Sequence, residues 1–214
     1  TCMIRRHSHF SSMKDYSIRD SSCYDLVMAA MLSDIADKMG LDNPLRRFNL
    51  VDNLENFWDG AYYKDDLSSD LLSADANLYQ FWFGLEKRRS RLSKVIASIH
   101  KAGLDCPFPL KYSTKNSNHR QVPFSFVAKD WELDAVWAHM GMVYIDVLHS
   151  VDKKQAQEHL DRYKNIIEHY KTFYEVYTPD GARPYRSLFY HADEGMLWAA
   201  QFLDLQKKLT SDRG

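Results

Sequence analysis

Helical stretches that are apolar nearly all the way round alternate along this chain with helices that keep one charged face. The first kind begins near Ser73 (LLSADANLYQFWFG), at about Glu132 (running through VWAHMGMVYIDVLHS) and at His191 (HADEGMLWAAQFLDL). The second kind comprises RRSRLSKVIASIHKAG, with Leu92, Val95, Ile96 and Ile99 on one face, and a helix opened by Asp152. That helix carries Ala156, Leu160, Tyr163, Ile166, Ile167 and Tyr170. An all-round apolar helix has to be enclosed by protein, whereas a striped one covers a core and faces water. The alternation predicts an all-α fold of stacked helical hairpins, with inner helices buried and outer helices half-solvated. No segment repeats at a fixed length, which argues against a regular solenoid.

The remaining segments fit around these helices. Residues 1–19 are polar and irregular, with His7 and His9 among serines, and 20–214 read as a single domain. Asp20-Ser21-Ser22 supplies capping chemistry for a first helix, CYDLVMAAMLSDIADKMG. Leu26, Met28, Ala29, Leu32, Ile35, Ala36 and Met39 recur there near helical spacing, and Gly40 stands where the helix should stop. Asp42-Asn43-Pro44 predicts the start of a second helix, with Phe48, Val51, Leu54 and Trp58 at helical spacing. FWDGAYYKDD reads as a hairpin or turn around Asp59-Gly60. Residues 104–130, with Pro107, Pro109, Pro123 and the polar tract STKNSNHR, form a connection long enough to be functional or mobile.

Charge and cysteine usage exclude several classes. The 28 basic and 29 acidic residues nearly cancel, so no nucleic-acid footprint is present, and Lys87-Arg88-Arg89 reads as a solvated helix face. Cys2, Cys23 and Cys106 are odd in number and lack metal-ligand spacing, which points to a reducing, cytoplasmic setting. No apolar run is long enough to span a bilayer, and TCMIRRHSHF has no apolar signal core. The chain starts without Met, as a fragment or processed product would. The nine histidines form no paired ligand spacing, and no phosphate loop or nucleophile elbow occurs, so neither a metal nor a cofactor is expected. The 13 Tyr, 11 Phe and 5 Trp fit either a core built of large rings or a cleft whose ring faces stack on sugars.

Four helix starts combine polar and aromatic residues: DSSCYD (Asp20–Asp25), SADANLYQFW (Ser73–Trp82), DWELDAVW (Asp130–Trp137) and YHADEGMLW (Tyr190–Trp198). In a ring of inner helices these ends would share one rim. Carboxylates, rings and unpaired helix N–H groups there would suit a neutral, polyhydroxylated ligand. Each residue taken singly reads first as a plain helix cap, and it is the recurrence with aromatics that points to a ligand rim.

The segment FYEVYTPDGARPYRSLFYHADEGMLWAAQFLDL resembles the C-terminal signature of (α/α)6-barrel glycoside hydrolases. These form the six-hairpin superfamily of processing α-glucosidases, mannosylglycerate hydrolases and glycogen-debranching C-terminal domains. DWELDAVWAHMGMVYID is similar to the family's Trp…Gly-Pro-x-Trp/Tyr inner helix, with Met142 where Pro is usual. LLSADANLYQFWFGL and NFWDGAYYKDD resemble the preceding hairpin, and SCYDLVMAAMLSDIADKMGLD an earlier inner helix. The resemblance covers residues 20–209 and rests on the order of these motifs. It implies part of an (α/α)6 toroid and inverting hydrolysis of an O-glycosidic bond in a small α-glycoside or oligosaccharide. In that mechanism one carboxylic acid protonates the leaving oxygen and a second carboxylate activates water.

Glu175 matches the family's general base, with Glu194 as the rival because related toroids place a base in a His-Ala-Glu-type segment. Glu194 is also what a first-turn glutamate favoured by the helix dipole looks like. Trp58, Trp82, Trp131, Trp137 and Tyr177 are the candidate sugar platforms. His139 and His191 are candidate hydroxyl ligands, or equally hydrogen-bonded structural histidines. The family's general acid lies in a Gly-x-Asp-x-Ser-Pro-like loop, and no such loop is present in this chain. The alternatives are therefore a non-catalytic carbohydrate-binding or interaction module, or a toroid lyase or epimerase using Tyr or His. A half toroid would expose inner-helix surface and so associate with its missing half or with a second copy.

Overall fold

The computed structural model describes residues 13–114 and 120–211. Cys2, His7, His9 and most of the STKNSNHR tract lie outside the described residues. The fold is largely helical and divides into two compact units. The first comprises residues 1–98 with 115–125, the second 99–114 with 126–214, and the division falls inside one helix.

In the first unit, α1 spans Cys23–Lys38 and begins where Ser22 accepts the Asp25 N–H. It ends at Gly40, whose left-handed backbone (φ 67°) lets Leu41 N–H reach the Ala36 carbonyl. Cys23, Tyr24, Leu26, Val27 and Ala30 are buried, but Leu32, Ile35 and Met39 are exposed. Of the predicted apolar stripe only Leu26 is fully buried, and Cys23, Tyr24, Val27 and Ala30, outside it, form the rest of the core-facing surface. The predicted second helix is instead two short 3-10 segments, Pro44–Arg47 and Asp52–Phe57. Phe48 is extended between them, and the second segment anchors itself through buried Leu54 and Phe57. The Asp59-Gly60 turn forms as expected, with Trp58 bridged to Tyr63 and the Asp59 carboxylate accepting two N–H groups. It leads into a hairpin absent from the all-helical expectation, β1 (Lys64–Asp66) paired antiparallel with β2 (Ser69–Leu72). Helix α2 (Asp75–Trp82) follows, and α1 packs on it and on β1. Helix α3 (Arg89–Lys101) buries the predicted stripe Leu92, Val95, Ile96 and Ile99.

The second unit is built on α4 (Ala138–His149), α5 (Lys153–Tyr170) and α6 (Met196–Ser211). Helix α4 is buried over nearly its whole circumference, as its composition requires, with α5 and α6 packed against it. It starts later than the predicted Glu132, because Val136–Trp137 form strand β3, paired antiparallel with β4 (Val176–Tyr177). Three residues separate α4 from α5, so the two form a helical hairpin. Asp152 caps α5 by accepting the Gln155 N–H. Helix α6 starts at Met196 rather than His191, since His191 and Glu194 are engaged in bridges. It is also not enclosed: Phe202, Leu205 and Leu209 are buried, while Leu197 and Leu203 are exposed. Among the described residues, no helix is long and apolar enough to cross a membrane.

Candidate functional site

In the first unit, two of the four polar helix starts are brought together around Arg19. Its guanidinium donates to Ser22 at the head of α1 (2.9 Å), to Asp75 at the head of α2 (2.5 Å) and to Asp65 in β1 (2.8 Å). Lys14 and Ser73 also bind Asp65, and all of these side chains are buried. This network ties element ends together through side chains that are paired with one another. Trp58 lies in the same unit under the guanidinium of Arg91, 4.6 Å from its ring, and beside Tyr63. Trp82 is 40% exposed and touches Tyr79 and Phe83 with ring contacts.

The other candidate residues lie in the second unit. Ala138 N–H donates to the Glu175 carbonyl (2.9 Å), and Glu175 N–H donates to the Asp193 carbonyl (3.0 Å). These bonds hold the residue between the head of α4 and the segment before α6. Its half-buried carboxylate accepts the Tyr190 hydroxyl at 3.1 Å. The Tyr190 ring meets Trp131 nearly at right angles, with centroids 4.4 Å apart. Trp131 is half-buried at the centre of this cluster and makes edge contacts with Trp137 (4.4 Å) and Tyr185 (5.3 Å). Trp137 donates its indole N–H to the Trp131 carbonyl and is itself buried. Burial first, and then the Glu175 charge, push the Tyr190 hydroxyl up to about 12. Tyr190 is therefore a donor to the carboxylate, not a base.

Tyr174, not Glu175, is the residue bridged to Glu194, and Glu175 stands at a bend between that bridge and β4. Glu194 is exposed. Tyr177 is fully buried, with Phe108 and Tyr170 against its ring, which leaves no face for a ligand. His139 is buried between Trp137 and Trp198, and His191 is exposed in a bridge with Arg186. Tyr185 is the member of the cluster that motif reading overlooks, and Tyr190 figures in it only as part of a helix start. The hairpin pairing of Arg186 with His191 turns Tyr190 back toward Glu175, and no local periodicity announces it. Among the described residues, no group of three or more His, Cys, Asp or Glu side chains is arranged to hold a metal ion. No protein-family model matches the sequence, and no curated protein matches it.

Proposed function

We propose that the cluster around Glu175 is a carbohydrate site, and that the chain is a glycoside hydrolase-like domain in which Glu175 activates water. The observation that carries this reading is a half-buried carboxylate paired with a phenol at the edge of a Trp/Tyr group. A sugar offers hydroxyls that donate and accept, together with apolar C–H faces. Glu175 supplies acceptor lone pairs, the Tyr190 hydroxyl oxygen a further acceptor and Trp131 a ring. The α4–α5 hairpin with α6 against it supports a segment of an (α/α)6 toroid as the architecture.

Inverting hydrolysis requires a second carboxyl about 6.5–9.5 Å from the first. The chain lacks the family's acid loop, and Glu194 is exposed rather than held in the ring cluster around Glu175. That specific gap favours, as the second reading, a binding module that retains the sugar site without turnover. Glu175→Gln measured against a panel of aryl α-glycosides separates the two. Loss of turnover by at least about 100-fold with binding retained supports catalysis, that being the usual contribution of a general base. No turnover by the wild type, with oligosaccharide binding that Trp131→Ala removes, supports the module. A wild type that neither cleaves nor binds any glycan removes both.

A further inference from the structure

Away from Glu175, a second cluster in the same unit has polar groups that its packing leaves unmet. Asp105, in the segment after α3, is buried, and three helices, α3, α4 and α5, converge on it. His100, from the last turn of α3, places Nδ1 2.9 Å from Asp105 Oδ2, with its ring 64% exposed. Tyr144 of α4 donates its hydroxyl to the same oxygen at 3.3 Å. His159 of α5 brings Nε2 within 3.9 Å of it, beyond hydrogen-bond reach. Asp105 Oδ1 and both ring nitrogens of His159 are buried without a hydrogen-bond partner. Cys106 flanks Asp105, and Glu158 and Arg162 act on His159 from α5 itself. On α6, Lys208 instead pairs with Asp146 of α4.

We propose that this cluster is an acid-operated release, in which a proton taken up by His159 opens the packing of α5 on α4 and the Asp105 segment. In the closed arrangement an imidazolium at His159 would be buried with no hydrogen-bond acceptor in reach of either ring nitrogen. The oxygen nearest to it is already engaged by His100 and Tyr144, and any charge on His100 or Arg162 repels a second one. A proton therefore favours conformations in which His159 reaches water. Burial, only partly offset by Asp105, lowers the imidazole from 6.5 to about 4 in the closed form. An opened form with an ordinary imidazole binds the proton roughly 300-fold more tightly, which sets the upper limit of the shift.

Hydrogen exchange resolved by segment and corrected for intrinsic rates tests this between pH 7 and 4.5. The wild type should lose protection in α5 as the pH falls, and His159→Phe, which keeps a buried ring but cannot charge, should not. Protection that stays constant in the wild type, or falls equally in the variant, overturns the proposal. Should the variant fail to fold, ring titration by NMR in the wild type decides. His159 should protonate well below an ordinary imidazole, together with a change in the Tyr144 ring signals. Titration near 6.5 with the fold intact overturns the proposal.

Discussion

Single residues in this protein are constrained most tightly where backbone and side chain meet without slack. Gly141 lies inside α4, where a Cβ would run into the Tyr163 hydroxyl and the Pro109 carbonyl. Those two groups are hydrogen-bonded to each other, and Tyr163 is fully buried, so neither can retreat cheaply. Gly141→Ala should therefore destabilise by about 1–3 kcal/mol despite the better helix propensity of alanine. A lower urea midpoint at unchanged slope would show it, and an equal or higher midpoint would mean that the loop carrying Pro109 yields. Sequence periodicity marks α4 as enclosed but cannot show which of its positions touches backbone. Glu175 is a parallel case at the candidate site. Its aromatic surroundings are readable from FYEVY, whereas its partner Tyr190 arrives through a hairpin fifteen residues on.

At the scale of elements, the helices whose ends carry capping chemistry were legible, and those defined by long-range pairing were not. Ser22, Gly40 and Asp152 mark real boundaries because each satisfies backbone groups locally. Asp130 and His191 read as caps but precede irregular segments, since Val136–Trp137 and Glu194 are drawn into cross-strand pairing with the segment around Glu175. The second predicted helix failed for a related reason: spacing by three suits 3-10 turns as well as α-helix over so short a span. Asp152→Ala should cost α5 about 1 kcal/mol, seen as a lower thermal midpoint. Arg19→Met should cost far more, about 3–5 kcal/mol. It leaves Asp75 without its buried charge partner and Asp65 with Lys14 as its remaining cation. A loss below 1 kcal/mol would mean that water or a proton replaces the guanidinium.

For the molecule as a whole, the two units carry different acid chemistry. In the first unit, burial opposes ionisation of Asp65, but the Arg19 and Lys14 charges outweigh it and hold that carboxyl well below its ordinary 3.8. Burial likewise opposes ionisation of Glu86, and the hydrogen bond from Arg88 overcomes it, holding that carboxyl at about 2 against an ordinary 4.5. Both carboxyls take up protons more readily once unfolded. Their stabilisation is complete above about pH 4.5 and drains away as the pH falls toward 2. In the second unit, His159 also binds its proton more readily unfolded, but its window is higher. Its contribution is complete above 6.5 and lost between 6.5 and about 4. Acidification should therefore weaken the second unit first and the first unit only afterwards. Exchange protection followed separately in α1 and α5 should show α5 falling through the range 6.5 to 4 while α1 holds to about pH 4. His159→Phe should move the α5 transition to lower pH, toward that of α1, and Glu86→Gln should flatten the α1 loss below 4.5. Simultaneous loss in both helices, unaffected by His159→Phe, would mean that the units unfold as one and that the carboxylates govern both.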